Sequence, residues 1–138
     1  TRPAALVVAN RTADRARDLA QRLPLTASLR GCDYAELAGQ SFDLVINATS
    51  ASLSGQLARL PGGTFAAENL AYDMMYGQGQ TPFLVFAGSQ GVARLADGLG
   101  MLVEQAAEAF RVWRGIRPDT APVMAMLRVA EAATSATR

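Results

Sequence analysis

The sequence predicts an α/β protein built on a doubly wound parallel sheet, and three observations carry that prediction. Ala5-Leu6-Val7-Val8-Ala9 is an apolar run that empties through Asn10-Arg11-Thr12 into a helical segment. Phe42-Asp43-Leu44-Val45-Ile46-Asn47 is β-branched and apolar on both faces, as a parallel strand covered by helices should be. Strand-like and helix-like runs then alternate to the end of the chain, the pattern of βαβ units.

Each element has a local reason. The first strand is Ala5–Ala9, and Thr12 is placed to cap a helix whose first turn carries Asp14, where the macrodipole favours an anion. That helix should run to about Arg22, with Ala16, Leu19, Ala20 and Leu23 as its inward stripe and Pro24 as its stop. Residues 25–29 are expected as a short edge strand. Asp33 and Glu36 have the spacing of a capping arrangement for a short helix ending at Gly39. After Phe42–Asn47 comes a small polar turn, Ala48-Thr49-Ser50-Ala51-Ser52, then a loop over 53–68 broken by Pro61-Gly62-Gly63. A further strand is expected over Asn69–Tyr72, and Gly77 and Gly79 form the next turn. Thr81 caps a helix with Pro82 at its first position, ending near Gly91. A strand over Val92–Ala96 follows, then the turn Asp97-Gly98-Leu99-Gly100 and a long helix from about Met101 to Arg114, stopped by Gly115. Phe110 and Trp113, at helical spacing, are expected in the core. Asp119 or Thr120 caps a last helix with Pro122 in its first turn, and the tail from Ala132 is expected to be disordered.

Composition narrows the function. The 138 residues amount to one domain, and half are hydrophobic, yet Gly, Pro or charge breaks every apolar run well short of a membrane span. Nothing resembling a signal peptide opens the chain, so it reads as soluble and cytoplasmic. A net charge of +1 without a basic run gives no nucleic-acid footprint. A single cysteine, Cys32, excludes an internal disulfide framework, offers no metal-ligand spacing, and reads as an inert small residue. Histidine is absent and all 13 basic side chains are arginine, so the chain lacks the common general bases other than carboxylates.

An apolar strand whose carboxyl end presents an arginine to a helix looks like the second strand of a dinucleotide-binding fold. An acid at that position accepts from the 2′-hydroxyl of NAD, whereas an arginine accommodates the 2′-phosphate of NADP. Arg11, joined by Arg15 four residues on, therefore favours NADP. The expected architecture is an incomplete Rossmann-type sheet starting at its second strand, residues 1–138 forming a partial NADP-binding domain. The first strand and its glycine-rich turn would come earlier and would join the two halves of the sheet. Without them the halves present unpaired strand edges. The chain thus reads as a fragment, with neither dehydrogenase activity nor strong NADP affinity expected of it alone.

Three segments in this order resemble the C-terminal, cofactor-binding domain of the shikimate dehydrogenases. They are Asn10-Arg11-Thr12 with Arg15; Ile46-Asn47-Ala48-Thr49-Ser50 followed by Tyr72-Asp73-Met74-Met75-Tyr76 and Thr81-Pro82-Phe83-Leu84; and Asp97-Gly98-Leu99-Gly100-Met101-Leu102-Val103-Glu104-Gln105-Ala106-Ala107, continuing to Phe110, Trp113 and Gly115. The third is the most specific. The resemblance implies reversible reduction of 3-dehydroshikimate to shikimate with NADPH, in aromatic amino-acid biosynthesis. It implies that Asn10, Arg11, Thr12 and Arg15 clamp the 2′-phosphate, a match of guanidinium forks to phosphate oxygens. It further implies that Ala48, Thr49 and Ser50 pass beside the ribose and diphosphate. The backbones of Met74 and Gly98 would approach the nicotinamide, and Met101, at the start of the helix after Gly98, counts among the cofactor-binding residues. Tyr76 and Gln105 resemble the residues that face the substrate, shikimate or 3-dehydroshikimate.

Blander readings stand beside these: solvated arginines at a helix start, a capped polar turn at Ser50, a turn glycine of positive φ at Gly98, and a surface residue at Gln105. The family's proton-transfer pair resembles a lysine and an aspartate from another domain, and no lysine exists here to take that role. Asp73 is read as ordering the strand-end turn and Asp97 the loop before the helix, so no catalytic residue and no metal ligand is assigned. The alternatives are a quinate/shikimate dehydrogenase, which often prefers NAD, and a non-catalytic nucleotide-binding module.

Overall fold

Two sheets carry the fold, and the residues at their strand ends decide what each half can do. The structure is a computed structural model in which residues 3–23, 28–49, 59–77 and 79–136 are described. It divides into two units, residues 1–42 with 58–66 and residues 43–57 with 67–138.

The first unit holds β1 (Ala5–Ala9), α1 (Ala13–Arg22) and β2 (Ser28–Cys32). β1 and β2 pair in parallel from Ala5↔Ser28 to Ala9↔Cys32. The strand expected over residues 25–29 is described from Ser28 and runs on to Cys32; residues 25–27 lie outside those described, as does Pro24. Gly31 explains how α1 seats on β2. A Cβ there would fall 2.3 Å from the carbonyl of Ala16 and from the amide nitrogen of Arg17, so helix backbone rests directly on strand backbone. That approach buries Ala16 and leaves Leu19 and Leu23 exposed, which corrects the expected stripe. The helix follows its close backbone contact, and its larger side chains turn outward. Gly31→Ala should therefore destabilise the protein by about 1–3 kcal/mol, the usual overpacking cost, seen as a lower urea midpoint.

The Asp33–Glu36 expectation holds in detail. The Glu36 amide donates to Asp33 Oδ1 at 2.9 Å and the Asp33 amide donates to Glu36 Oε1 at 3.0 Å, a reciprocal capping box. It starts a single 3-10 turn, Ala35–Leu37, and Gly39 with φ of 76° ends it.

The second unit is built on a sheet of order β3-β4-β5, with β3 at Phe42–Asn47, β4 at Phe65–Asp73 and β5 at Arg94–Ala96. β4 and β5 are parallel, pairing Leu70↔Arg94 through Tyr72↔Ala96. The Met74 amide donates to the Asn47 carbonyl at 3.0 Å, so β3 and β4 end side by side at one edge. β4 starts earlier than expected, at Phe65, and Glu68 within it has a φ of 62°. β3 is an edge strand, and Leu44 and Ile46 are 50% and 53% exposed, so the expected cover on both of its faces is not found. In the doubly wound order the second and third strands are neighbours, as are the fourth to sixth. The two observed sheets have those orders.

Thr81 Oγ1 accepts from the Leu84 amide at 3.3 Å and caps α2 (Pro82–Ser89) as expected. α3 (Leu99–Arg114) starts slightly before its expected position and stops at Gly115, whose φ is 76°. The α3 residues that are buried are Leu99, Val103 and Ala107. Trp113, six residues past Ala107, is turned about 240° from it at ~100° per residue and is 80% exposed. Phe110 is also exposed, so neither aromatic is core in this chain. Asp119 Oδ1 accepts from the Ala121 amide at 3.0 Å at the start of α4 (Ala121–Ala136), which includes 132–136.

Candidate functional site

Among the described residues, those singled out from the sequence fall at the carboxyl ends of strands or in the helices that follow them, one group in each unit. In the first, the Asn10 amide donates to the Cys32 carbonyl at 3.1 Å and prolongs the parallel ladder by one step. Asn10 Oδ1 accepts from the Thr12 amide at 2.9 Å, an Asx turn that bends the chain into α1. Arg11 stands in that bend and Arg15 in the first turn of the helix, so the two are not a within-helix pair as their spacing suggested. Thr12 sits at the N-cap, yet its side chain makes no capping hydrogen bond. Arg17 reaches Glu36 at 2.8 Å and Arg22 reaches Asp18 at 3.1 Å. Among the described residues no carboxylate pairs with Arg11 or Arg15, and both side chains are exposed. Cys32 is fully buried beneath this turn, and burial pushes its thiol pKa up, which suits an inert packing residue.

In the second unit the strand ends are tied through Asp73, a fully buried carboxylate. Its Oδ1 accepts from Asn47 Nδ2 at 3.1 Å and from the Met75 amide at 3.1 Å, and its Oδ2 accepts from Thr81 Oγ1 at 2.6 Å. One carboxylate thus links β3, the turn after β4 and the cap of α2, the ordering role expected of it. Asn47 Oδ1 also accepts from the amide and hydroxyl of Thr49 at 3.2 and 2.8 Å. This Asn47 bridge had no sequence signal beyond a polar residue closing an apolar strand. Ala48 is exposed and Thr49 half-buried beside β3, and Ser50 lies outside the described residues.

Met74 and Gly98 come together. The Gly98 amide donates to the Met75 carbonyl at 3.1 Å, and a Cβ on Gly98 would lie 2.0 Å from the Met74 carbonyl oxygen. The φ of Gly98 is −76°, so the positive-φ turn reading is corrected: glycine is needed for close approach, not for backbone handedness. Met74, Tyr76, Met101 and Gln105 are all exposed. Gln105 follows Met101 by one turn of α3, and its Nε2 donates back to the Leu102 carbonyl at 3.1 Å.

Asp97 Oδ1 accepts from the Leu99 amide at 3.2 Å, fixing the start of α3 as expected. Its partner was not foreseen. Arg128 of α4 grips both carboxylate oxygens, at 2.6 and 2.7 Å, from 31 residues away in the chain. That bond from Arg128 holds the Asp97 carboxyl below the ordinary carboxylate value of 3.8, and the pair raises the Arg128 pKa in turn. A carboxyl depressed on folding contributes stability that is complete above the unfolded value and is lost as pH falls through the folded value. Wild type should accordingly exceed Asp97→Asn in urea midpoint near neutral pH. The gap should close in acid, and equal midpoints at neutral pH would contradict this.

Known proteins resemble this chain in sequence and fold. Residues 98–128 match the family model described as the shikimate 5'-dehydrogenase C-terminal domain. The NADP(+)-dependent shikimate dehydrogenase of Dechloromonas aromatica is 67% identical over 127 residues, 92% of this chain and 46% of that protein. A crystal structure of an Ael1 enzyme from Pseudomonas putida is similar with a TM-score of 0.82 at 55% identity, covering 91% of this chain and 46% of that one. The shikimate 5-dehydrogenase of Thermus thermophilus, crystallised with NADP(H) and shikimate, is similar with a TM-score of 0.68 at 34% identity, over 90% of this chain and 45% of that one. The chain spans about half the length of the curated relatives it matches. Among the described residues no helix is long and apolar enough to cross a membrane. The motif order, the parallel α/β architecture and these likenesses agree: the chain is similar to the C-terminal part of the shikimate dehydrogenases.

Proposed function

We propose that this chain is the NADP-holding part of a longer, two-domain shikimate dehydrogenase that interconverts 3-dehydroshikimate and shikimate. The observation that carries this reading is the end of β1, where Arg11 and Arg15 face solvent with no carboxylate partner among the described residues. They stand where α1 begins without a side-chain cap. Two guanidinium groups beside open helix amides form a phosphate-binding set, and an acid that would read a 2′-hydroxyl is absent from the turn.

The second group suits the other end of the cofactor. The backbone at Met74 and Gly98 forms a wall without a side chain at position 98, against which a flat ring can lie. Thr49 follows β3 at the edge where open α/β sheets bind ligands. Tyr76 and Gln105 supply a phenol and an amide, neutral donor-acceptors suited to a polyhydroxylated carboxylic acid. When bound, the nicotinamide supplies or accepts the hydride. This chain's residues hold and orient, while proton transfer falls to groups beyond residues 1–138, since no lysine or histidine occurs here. A single buried cysteine fits a cytoplasmic, reducing setting. The test is turnover by the full-length protein: NADPH consumption that requires 3-dehydroshikimate supports the reading, and none with that substrate overturns it.

A further inference from the structure

We propose that Arg128 is a positioning residue for hydride transfer: by gripping Asp97 it fixes the turn that presses Gly98 against the Met74 backbone. The inference rests on the function proposed above and adds to it a residue outside the three segments that carry the resemblance, 31 positions from the carboxylate it grips.

The linkage can be followed atom by atom. Arg128 donates from Nη1 to Asp97 Oδ2 at 2.6 Å and from Nη2 to Asp97 Oδ1 at 2.7 Å, a bidentate fork that fixes the plane of the carboxylate. Glu131, one turn further along α4, accepts from the same Nη1 at 3.1 Å and steadies the guanidinium from its own helix. Asp97 Oδ1 in turn receives the Leu99 amide, so the carboxylate sets the first turn of α3. Gly98 lies between these two anchor points, its amide on the Met75 carbonyl and its Cα against the Met74 carbonyl.

Packing alone does not hold this turn. Asp97, Arg128 and Glu131 stand on the wall of a cleft of about 360 Å³, whose other sides include Gly77, Gly79, Leu84 and Leu95. Gly98 and Leu99 are buried and held by packing, whereas the Asp97 carboxylate, on the side of the cleft, is oriented by Arg128 and the Leu99 amide. The Asp97 side chain is only 10% exposed, so loss of its partner leaves a poorly hydrated carboxylate that will seek the cleft. A displacement on the order of 1 Å at the ring-binding wall suffices to slow a reaction about a hundredfold.

The experiment compares full-length wild type with Arg128→Met and Arg128→Lys. Two readouts are taken: steady-state kinetics with NADPH and 3-dehydroshikimate, and hydrogen exchange at the Gly98 and Leu99 amides. Arg128→Met should lower kcat about tenfold or more with KM for NADPH little changed, because the adenosine end is held at Arg11 and Arg15. Arg128→Lys, which keeps the charge and loses the fork, should recover part of kcat. Faster exchange at Leu99 in Arg128→Met should accompany the loss. A kcat for Arg128→Met within about twofold of wild type, corrected for folded protein, overturns the proposal. If wild type itself fails to turn over, the functional reading falls, and the anchoring is then judged by exchange alone: acceleration at Leu99 upholds it, and unchanged exchange overturns it.

Discussion

Gly98→Ala in the full-length protein is expected to cut kcat about a hundredfold while leaving the protein folded at a lower urea midpoint. The added methyl would sit 2.0 Å from the Met74 carbonyl oxygen and 2.7 Å from its carbonyl carbon. Both are backbone atoms, so no rotamer change relieves the clash, and either the Met74 segment or the start of α3 must move. Neither moves freely. Met74 is fixed by the hydrogen bond its amide donates to the Asn47 carbonyl, and Met75 by the one its amide donates to buried Asp73. The Gly98 turn is held by Asp97 and Leu99. The strain therefore appears at the wall proposed to receive the nicotinamide. Since the φ of Gly98 is −76°, alanine meets no intrinsic backbone penalty there, and the whole effect comes from contact. Stopped-flow or steady-state kinetics read it, and a kcat within about twofold of wild type would show that the Met74–Gly98 contact has no part in hydride transfer.

Arg11→Ala is the second large effect, of a different kind. A charge-assisted hydrogen bond contributes about 1.5–3 kcal/mol, so removing this guanidinium should weaken NADPH binding roughly 10- to 100-fold. NADH binding should hardly change, because the lost partner is the 2′-phosphate. At saturating NADPH, kcat should stay near the wild-type value, since Arg11 lies far along the cofactor from the reacting carbon in this reading. A large fall in kcat with an unaltered NADPH constant would assign Arg11 to the chemistry or to folding instead. Arg15→Ala should act in the same direction, and the double variant tests whether the two share one phosphate, in which case their effects will not add.

Local chemistry made much of the fold legible. The Asp33–Glu36 box, the Thr81-Pro82 helix start and the Gly115 stop each depend on residues a few positions apart, and each appears where the sequence put it. The parallel strands at Ala5–Ala9 and Phe42–Asn47 were equally plain. What misled was inference from hydrophobicity to burial. Leu19, Phe110 and Trp113 are apolar at helical spacing, yet α1 buries Ala16 against Gly31 and the buried residues of α3 stop at Ala107. Periodicity says that a face is apolar, not which element covers it.

The candidate site divides in the same way. Residues at the strand ends could be named because ligand sites of open α/β sheets lie there. Asp73 as the organiser of its turn was also readable. The Arg128–Asp97 pair was not, since its two halves are 31 residues apart and nothing in either segment announces the other. Gly98 was identified for its sequence context, but only its distance to Met74 reveals why a side chain is excluded.

The central claim is that Arg11 and Arg15 read a 2′-phosphate, and the most direct measurement is a calorimetric titration of the full-length protein with NADP⁺ and with NAD⁺, repeated on the Arg11→Ala/Arg15→Ala double variant. Wild type should bind NADP⁺ about a hundredfold or more tightly over NAD⁺, and the ratio should collapse toward one in the variant. Equal affinities in wild type, or a preference for NADP⁺ that survives removal of both guanidinium groups, would contradict the account.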